Sequence, residues 1–284
     1  MRFVSFEKNT KQGLAIEDAN GQLRGLLEDH KDWPGDLDAI VRTGNFADAK
    51  TALSAGDIID KSTISYALPF KRADKVLCVG LNYADHAAES KMEVPSFPTV
   101  FTRFNSNLIA HQADMVRPNA SNDFDYEGEL VAVIGKAGRA ISHDDALDHV
   151  AGYTIFNDGS IRDYQLQTTQ WIIGKNFDNT GAMGPVFVTA DELSKGAKGL
   201  RLTTKLNGQV MQDASTDDLI FSIADLVSKL SIGMELLPGD IIVTGTPSGV
   251  GAARNPKIFM KPGDVCEIEI ESIGILRNQI IAEA

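Results

Sequence analysis

Two glutamates one residue apart, Glu127 and Glu129, open the segment Asp125-Tyr126-Glu127-Gly128-Glu129-Leu130-Val131-Ala132-Val133-Ile134-Gly135, which otherwise reads as a buried strand. Strand side chains alternate between faces, so both carboxylates share the face of Val131 and Val133, and carboxylates at the start of an apolar strand need compensation. A cation supplies it most simply. If Asp158, in the apolar context Tyr153-Thr154-Ile155-Phe156-Asn157-Asp158, contributes a third oxygen, the set is three hard carboxylates of the kind that hold Mg²⁺ or Mn²⁺ beside water and substrate. Rim carboxylates facing solvent or an arginine are the alternative that the spacing leaves open.

His86 and Glu89 lie three apart after the apolar run Val76 to Val79. If Asp85 caps a short helix, the two share one face, and a carboxylate fixing one imidazole nitrogen leaves the other free to take a proton from water. A solvated helix face is the competing reading. Lys175 stands among apolar residues and beside a glycine in Gln170-Trp171-Ile172-Ile173-Gly174-Lys175-Asn176-Phe177, which suggests a directed ammonium; an ordinary surface lysine is the alternative. Gly245-Thr246-Pro247-Ser248-Gly249-Val250-Gly251 lacks both the Gly-Lys-Ser/Thr ending of a phosphate loop and the spacing of a dinucleotide fingerprint. Its glycines after a buried strand do permit close backbone approach to a ligand, with Thr246 offering a hydroxyl or amide to a carboxylate; a plain turn is the alternative. His30, His111, His143 and His149 have no metal-like spacing, and Ser160 lacks the surroundings of a hydrolase elbow.

The elements that must position these groups are mostly strands. Leu237-Pro238-Gly239-Asp240 and Lys261-Pro262-Gly263-Asp264 read as turns. Each precedes a strand. Ile241 to Thr244 is continuously apolar and covered on both faces, whereas Val265 to Ile270 alternates, with Cys266, Ile268 and Ile270 inward. Thr216-Asp217-Asp218, followed by Leu219, Ile223, Leu226, Val227 and Leu230, predicts a capped amphipathic helix ending near Gly233. Residues 1–72 read as a small N-terminal α+β unit: a strand from Arg2 to Phe6, a hairpin around Asn20-Gly21, and a helical stretch from Leu37 to Ser54. Residues 73–284 would form the catalytic domain.

The chain of 284 residues carries 27 Lys+Arg against 39 Asp+Glu, a net charge of −12. Such a surface disfavours nucleic acid and leaves a small anion needing a metal or a few focused cations for a landing point. Two distant cysteines, Cys78 and Cys266, make no disulfide framework. No apolar run approaches the roughly 20 residues of a membrane span, and the N-terminus lacks a signal-peptide core. The expectation is a cytoplasmic protein with neither membrane nor nucleic-acid partner.

Six blocks, taken in order, resemble the fumarylacetoacetate hydrolase family: Cys78 to Glu89, Asp125 to Gly135, Gly152 to Gln165, Gly174 to Asp178, Leu237 to Asp240 and Thr244 to Gly251. The resemblance implies a mixed α/β, β-rich fold, with a β-roll or β-sandwich catalytic domain behind the small N-terminal one, and a homodimer. It implies Mg²⁺ or Mn²⁺, with Ca²⁺ as an alternative occupant, held by Glu127, Glu129 and Asp158. It also implies a His86–Glu89 base on a mobile lid, and Arg162, Gln165, Lys175 and Thr246 around the pyruvoyl end of a 2-oxo acid, with Lys175 catalytic. Tyr83 and Arg103 would border the distal acyl group. The implied reaction is hydrolysis of a carbon–carbon bond in a 2,4-dioxo acid such as an acylpyruvate. Oxaloacetate decarboxylation, keto-enol isomerisation and sugar-acid dehydration are alternatives within the family, and a non-catalytic oxo-acid binder is one outside enzymology. Gly128, Gly159 and Phe101-Thr102-Arg103-Phe104 depart from the family's usual residues and are expected to alter the substrate pocket.

Overall fold

The computed structural model describes residues 1–89 and 95–284. Its spine is a long mixed sheet. Along the sheet run Asp57–Ile59, Leu23–Leu27, Lys11–Glu17, Arg2–Lys8, Gly181–Thr189, Val150–Asp158, Gly128–Ile134, Ile241–Val243, Val76–Gly80 and Thr99–Thr102. A second, five-stranded sheet orders Gln209–Ser215, Arg201–Leu206, Val265–Ile270, Gly274–Ala282 and Met115–Arg117. The protein is thus mixed α/β and rich in strands.

Alternation along Gly128–Ile134 explains the layering. Leu130, Ala132 and Ile134 join one buried cluster with Leu202, Ile268 and Leu276 of the five-stranded sheet. Val131 and Val133 face the other way, into a cluster that includes Phe156, Leu37, Ile40 and Leu53. Glu127 and Glu129 therefore extend the helix-covered face beyond the helices, where the sheet is left open to a ligand. Ile241–Val243 is buried throughout, and Val265–Ile270 alternates with Cys266, Ile268 and Ile270 inward.

Several elements differ from the sequence reading. The first seventy residues do not form a sheet of their own: Arg2–Lys8 pairs antiparallel with Gly181–Thr189, opposing Arg2 to Val188 and Phe3 to Phe187. The stretch from Leu37 to Ser54 is two helices, Leu37–Thr43 and Phe46–Ser54, because Gly44 takes the left-handed conformation at φ 72° and ends the first. The helix expected from Thr216 begins at Ile223, capped by Ser222 and Asp225 in a reciprocal pair; Thr216–Asp218 is a separate 3₁₀ turn with its own Ser215–Asp218 pair. Its end at Gly233 agrees.

Candidate active site

Glu127 and Asp158 meet because their strands are antiparallel. Gly128 opposes Asn157 in the register, so Glu127 and Asp158 close the end of the ladder, and the Asp158 amide donates to the Glu127 carbonyl at 2.9 Å. Glu129 lies two residues along on the same face. One oxygen from each of the three buried carboxylates can be chosen so that all lie within 4.8 Å of one another.

Three buried cations surround them. Lys175 Nζ bridges Glu127 Oε2 at 2.6 Å and Asp158 Oδ2 at 2.7 Å. Arg162 reaches Glu127 Oε1 through Nη1 at 2.6 Å and Asp125 Oδ2 through Nε at 2.8 Å. Arg103 Nη1 donates to Asp158 Oδ1 at 2.5 Å. Burial opposes the charge on Glu127, but Arg162 and Lys175 prevail and hold its carboxyl down at about 2. Glu129 is different. Its Oε2 accepts the Gly245 amide at 2.5 Å, and among the described residues no cation pairs with it. Burial and the neighbouring Asp158 and Glu127 push its carboxyl well above the ordinary glutamate value. Four buried carboxylates, counting Asp125, face three cations, and the unmatched one belongs to the triad. That excess charge, carried on hard oxygens with no His or Cys among them, fits a divalent ion such as Mg²⁺ or Mn²⁺.

The triad opens into a cleft of about 360 Å³ whose lining includes His86, Glu89, Arg162, Gln165, Lys175 and Thr246. The helix Ala84–Glu89 carries the first two, with Asp85 inside its first turn rather than capping it. His86 Nδ1 lies 3.6 Å from Glu89 Oε2 and has no other polar partner among the described residues. Both Glu89 oxygens accept the Gly249 amide, at 3.0 and 3.2 Å. Burial raises the Glu89 carboxyl, but the His86 ring and that amide outweigh it and hold the group below its usual range. A negative Glu89 beside Nδ1 favours the tautomer with the proton there, freeing Nε2 as a base. The rest of the expected lid, residues 90–94, lies outside the described residues.

Other expected contacts are placed differently. Arg103 is not at the cleft mouth. It is buried behind Asp158, with Nη1 also on the Gly159 carbonyl and Nη2 on Thr180 Oγ1, because the turn after Thr99–Thr102 carries it inward. Tyr83 is likewise buried outside the cleft lining, its backbone bridged to Leu219. Thr246 lines the cleft, but its hydroxyl donates to the Gly128 carbonyl at 3.0 Å and accepts from Gln212 Nε2 at 2.8 Å, so its proton is already committed. Gln165 accepts from Arg162 Nη1 at 2.9 Å, leaving Arg162 Nη2 as a buried donor without a partner among the described residues. Gly128 and Gly159 are closely packed against their neighbours. A Cβ on Gly128 would sit 2.3 Å from Thr204 Oγ1, and one on Gly159 the same distance from the Thr180 carbonyl, so both glycines admit the packing behind the triad.

Three supporting residues escape a reading by spacing. Asn82 donates to the Phe221 and Thr244 carbonyls and accepts the Phe221 amide, tying the base of the His86 helix to the strand before the glycine loop. Gln212 holds Thr246 and the Gly128 amide together. Asp125 accepts the Gly251 and Ala252 amides as well as Arg162, anchoring the far end of that loop. A carboxylate placed before the glutamate pair and an asparagine ahead of the histidine helix are visible signals for two of them. For Gln212 there is none.

Residues 75–281 match the family described as fumarylacetoacetate (FAA) hydrolase C-terminal. The chain is 39% identical over 235 residues to the mitochondrial oxaloacetate tautomerase Fahd2a of Rattus norvegicus, covering 82% of this chain and 75% of that protein. Among solved structures, it is similar to a fumarylacetoacetate hydrolase from the psychrophile Exiguobacterium antarcticum, at 32% identity and TM-score 0.88 over 100% of both chains. It is also similar to a maleylpyruvate hydrolase from Sphingobium sp. SYK-6, at 25% identity and TM-score 0.82, again over 100% of both. Among the described residues no helix is long and apolar enough to cross a membrane.

Proposed function

The chain belongs to the fumarylacetoacetate hydrolase family of enzymes, and on that premise we propose that it is a divalent-metal-dependent hydrolase of the carbon–carbon bond in a 2,4-dioxo acid. The observation that carries the reading is the pairing of a carboxylate-supported imidazole, His86 with Glu89, and the buried acidic triad within one cleft. Glu127, Glu129 and Asp158 would hold the ion, which when bound supplies a Lewis acid for the oxygens of a 2-oxo acid.

The side chains do the rest. Arg162, which lines the cleft beside Glu127, offers its charge to the substrate carboxylate. His86 takes a proton from water while Glu89 holds the opposite ring nitrogen. The hydroxide adds to the 4-carbonyl, the bond between C3 and C4 breaks, and its electron pair remains with the pyruvate fragment as an enolate. Lys175, poised between Glu127 and Asp158, places positive charge beside that developing anion. His86 then returns its proton to C3, leaving pyruvate and a carboxylic acid. Homodimeric assembly and action in the cytoplasm belong to the same reading, although the rat relative is by name mitochondrial.

Keto-enol tautomerisation of a 2-oxo acid is the second reading, supported by the 39% identity to an oxaloacetate tautomerase. The same base could move a proton at C3 without adding water. Product analysis separates the two. After exhaustive EDTA treatment and reloading with Mg²⁺ or Mn²⁺, the protein is incubated with a panel of acylpyruvates and with oxaloacetate. Metal-dependent release of pyruvate and a second carboxylic acid supports hydrolysis. Enol–keto interconversion of oxaloacetate with no acylpyruvate cleaved would replace it by the tautomerase, and full activity in the metal-free protein would sink both.

A further inference from the structure

The polar groups of the cleft are largely committed to one another. Its cationic groups, Arg162 and Lys175, are at the triad and held by carboxylates, and His86 is beside Glu89. The remaining wall is apolar. Trp171 packs so closely against Gly80 that a Cβ there would fall 2.3 Å from its ring. Phe101 meets Trp171 edge-on, with centroids 5.6 Å apart. Leu81 continues the wall, and Leu166, 63% exposed, closes its outer edge. Lys175 Nζ lies 4.9 Å from the centroid of the Phe101 ring, so that ring borders the charged end of the cleft, while Leu81, Trp171 and Leu166 themselves offer a ligand no charge.

We propose that the distal acyl group of the substrate is uncharged and apolar, seated against Trp171, Phe101, Leu81 and Leu166. The proposal rests on the 2-oxo acid reading of the triad and narrows it. A second carboxylate at the distal end would lose its hydration against these side chains and, among the described residues, meet no cation beside them to replace it, whereas each methylene buried there gains about fourfold in affinity. Dicarboxylic 2-oxo acids, including the oxaloacetate in the name of the rat relative, would then be the poorer ligands.

The test compares two six-carbon acids that differ only at the far end, 2-oxohexanoate with a methyl and 2-oxoadipate with a carboxylate, alongside pyruvate. Binding to the Mg²⁺-loaded protein is read by calorimetry, so no turnover is needed. We expect 2-oxohexanoate to bind at least tenfold more tightly than 2-oxoadipate. Trp171→Ala should reduce that preference by weakening 2-oxohexanoate selectively. Leu166→Lys, at an exposed position that the fold does not depend on, should narrow it by favouring 2-oxoadipate. Equal or tighter binding of 2-oxoadipate overturns the proposal. So does pyruvate binding with no gain from the alkyl chain, an outcome that leaves the oxo-acid site standing. Binding of none of the three acids would overturn the oxo-acid reading itself, and the acyl preference with it.

Discussion

Glu129 is the residue at which stability and function pull apart. In the metal-free protein its carboxylate is buried beside two others, with one amide for support, and ionising it there is costly. Glu129→Gln removes that repulsion and keeps an oxygen for the Gly245 amide. The metal-free variant should therefore melt several degrees higher than the metal-free parent, yet gain almost nothing from Mg²⁺. The parent should gain as for any ligand bound only by the folded state, about 2.7 kcal/mol at a hundredfold excess over Kd. Thermal melts with EDTA and with MgCl₂ measure both, and an equal Mg²⁺ response in the two proteins would remove Glu129 from the ligand set. His86 makes the opposite case. His86→Ala should lower kcat by roughly 10²- to 10⁴-fold while leaving the Mg²⁺-induced rise in melting temperature intact. Loss of that rise would mean the histidine serves the metal rather than the proton.

At the scale of elements, what could be read from sequence was what short-range pattern encodes. Alternation along Leu130 to Ile134 fixed the face shared by Glu127 and Glu129, and a spacing of three joined His86 to Glu89. Residues whose partners are far away in sequence were not legible. Arg103 has the same composition around it whether it faces solvent or Asp158, and only the turn after Thr99–Thr102 decides. The commitment of the Thr246 hydroxyl depends on Gln212 from the second sheet. The N-terminal strands read as separate because nothing local announces that Phe3 will oppose Phe187. Asn82 shows how much such a distant tie carries. Asn82→Ala leaves the Phe221 amide and two carbonyls without their buried partner. At about 1–3 kcal/mol for each unsatisfied group that cannot relax, the variant should lose roughly 2–5 kcal/mol in urea unfolding. Because the same side chain anchors the segment leading to His86, kcat should fall while the Mg²⁺ response persists. A variant with unchanged stability and kcat would show the tie to be dispensable.

Over the whole molecule, the ends of the chain are joined through one guanidinium. Arg2 Nη1 and Nη2 donate to the carbonyls of Ser272 and Ile273, at 2.7 and 2.8 Å, and Arg2 Nε donates to Glu17 at 3.0 Å. Glu17 in turn accepts from Lys61 at 2.9 Å. The cluster thus links the first hairpin and the segment after it to the turn of the C-terminal hairpin, closing the long sheet against the five-stranded one. Burial works against the Glu17 charge, but Lys61 and Arg2 outweigh it and hold the carboxyl below its ordinary value of 4.5. A carboxyl lowered in the folded state binds its proton more weakly there than in the unfolded chain. Its contribution to stability is therefore complete above 4.5 and is lost as the pH falls through the lower, folded value. Glu17→Gln should lower the melting temperature near neutral pH by roughly 2–4 °C, the effect of about 1 kcal/mol in a chain of this size. Moderate salt should shrink the difference because the ion pairs are only partly shielded from water. Melts of parent and variant across the acid range measure it: the two curves should converge as the pH drops below 4.5. A gap that stays constant to the acid limit would mean that the glutamate acts through packing and hydrogen bonds alone, and that the chain ends are held together without its charge.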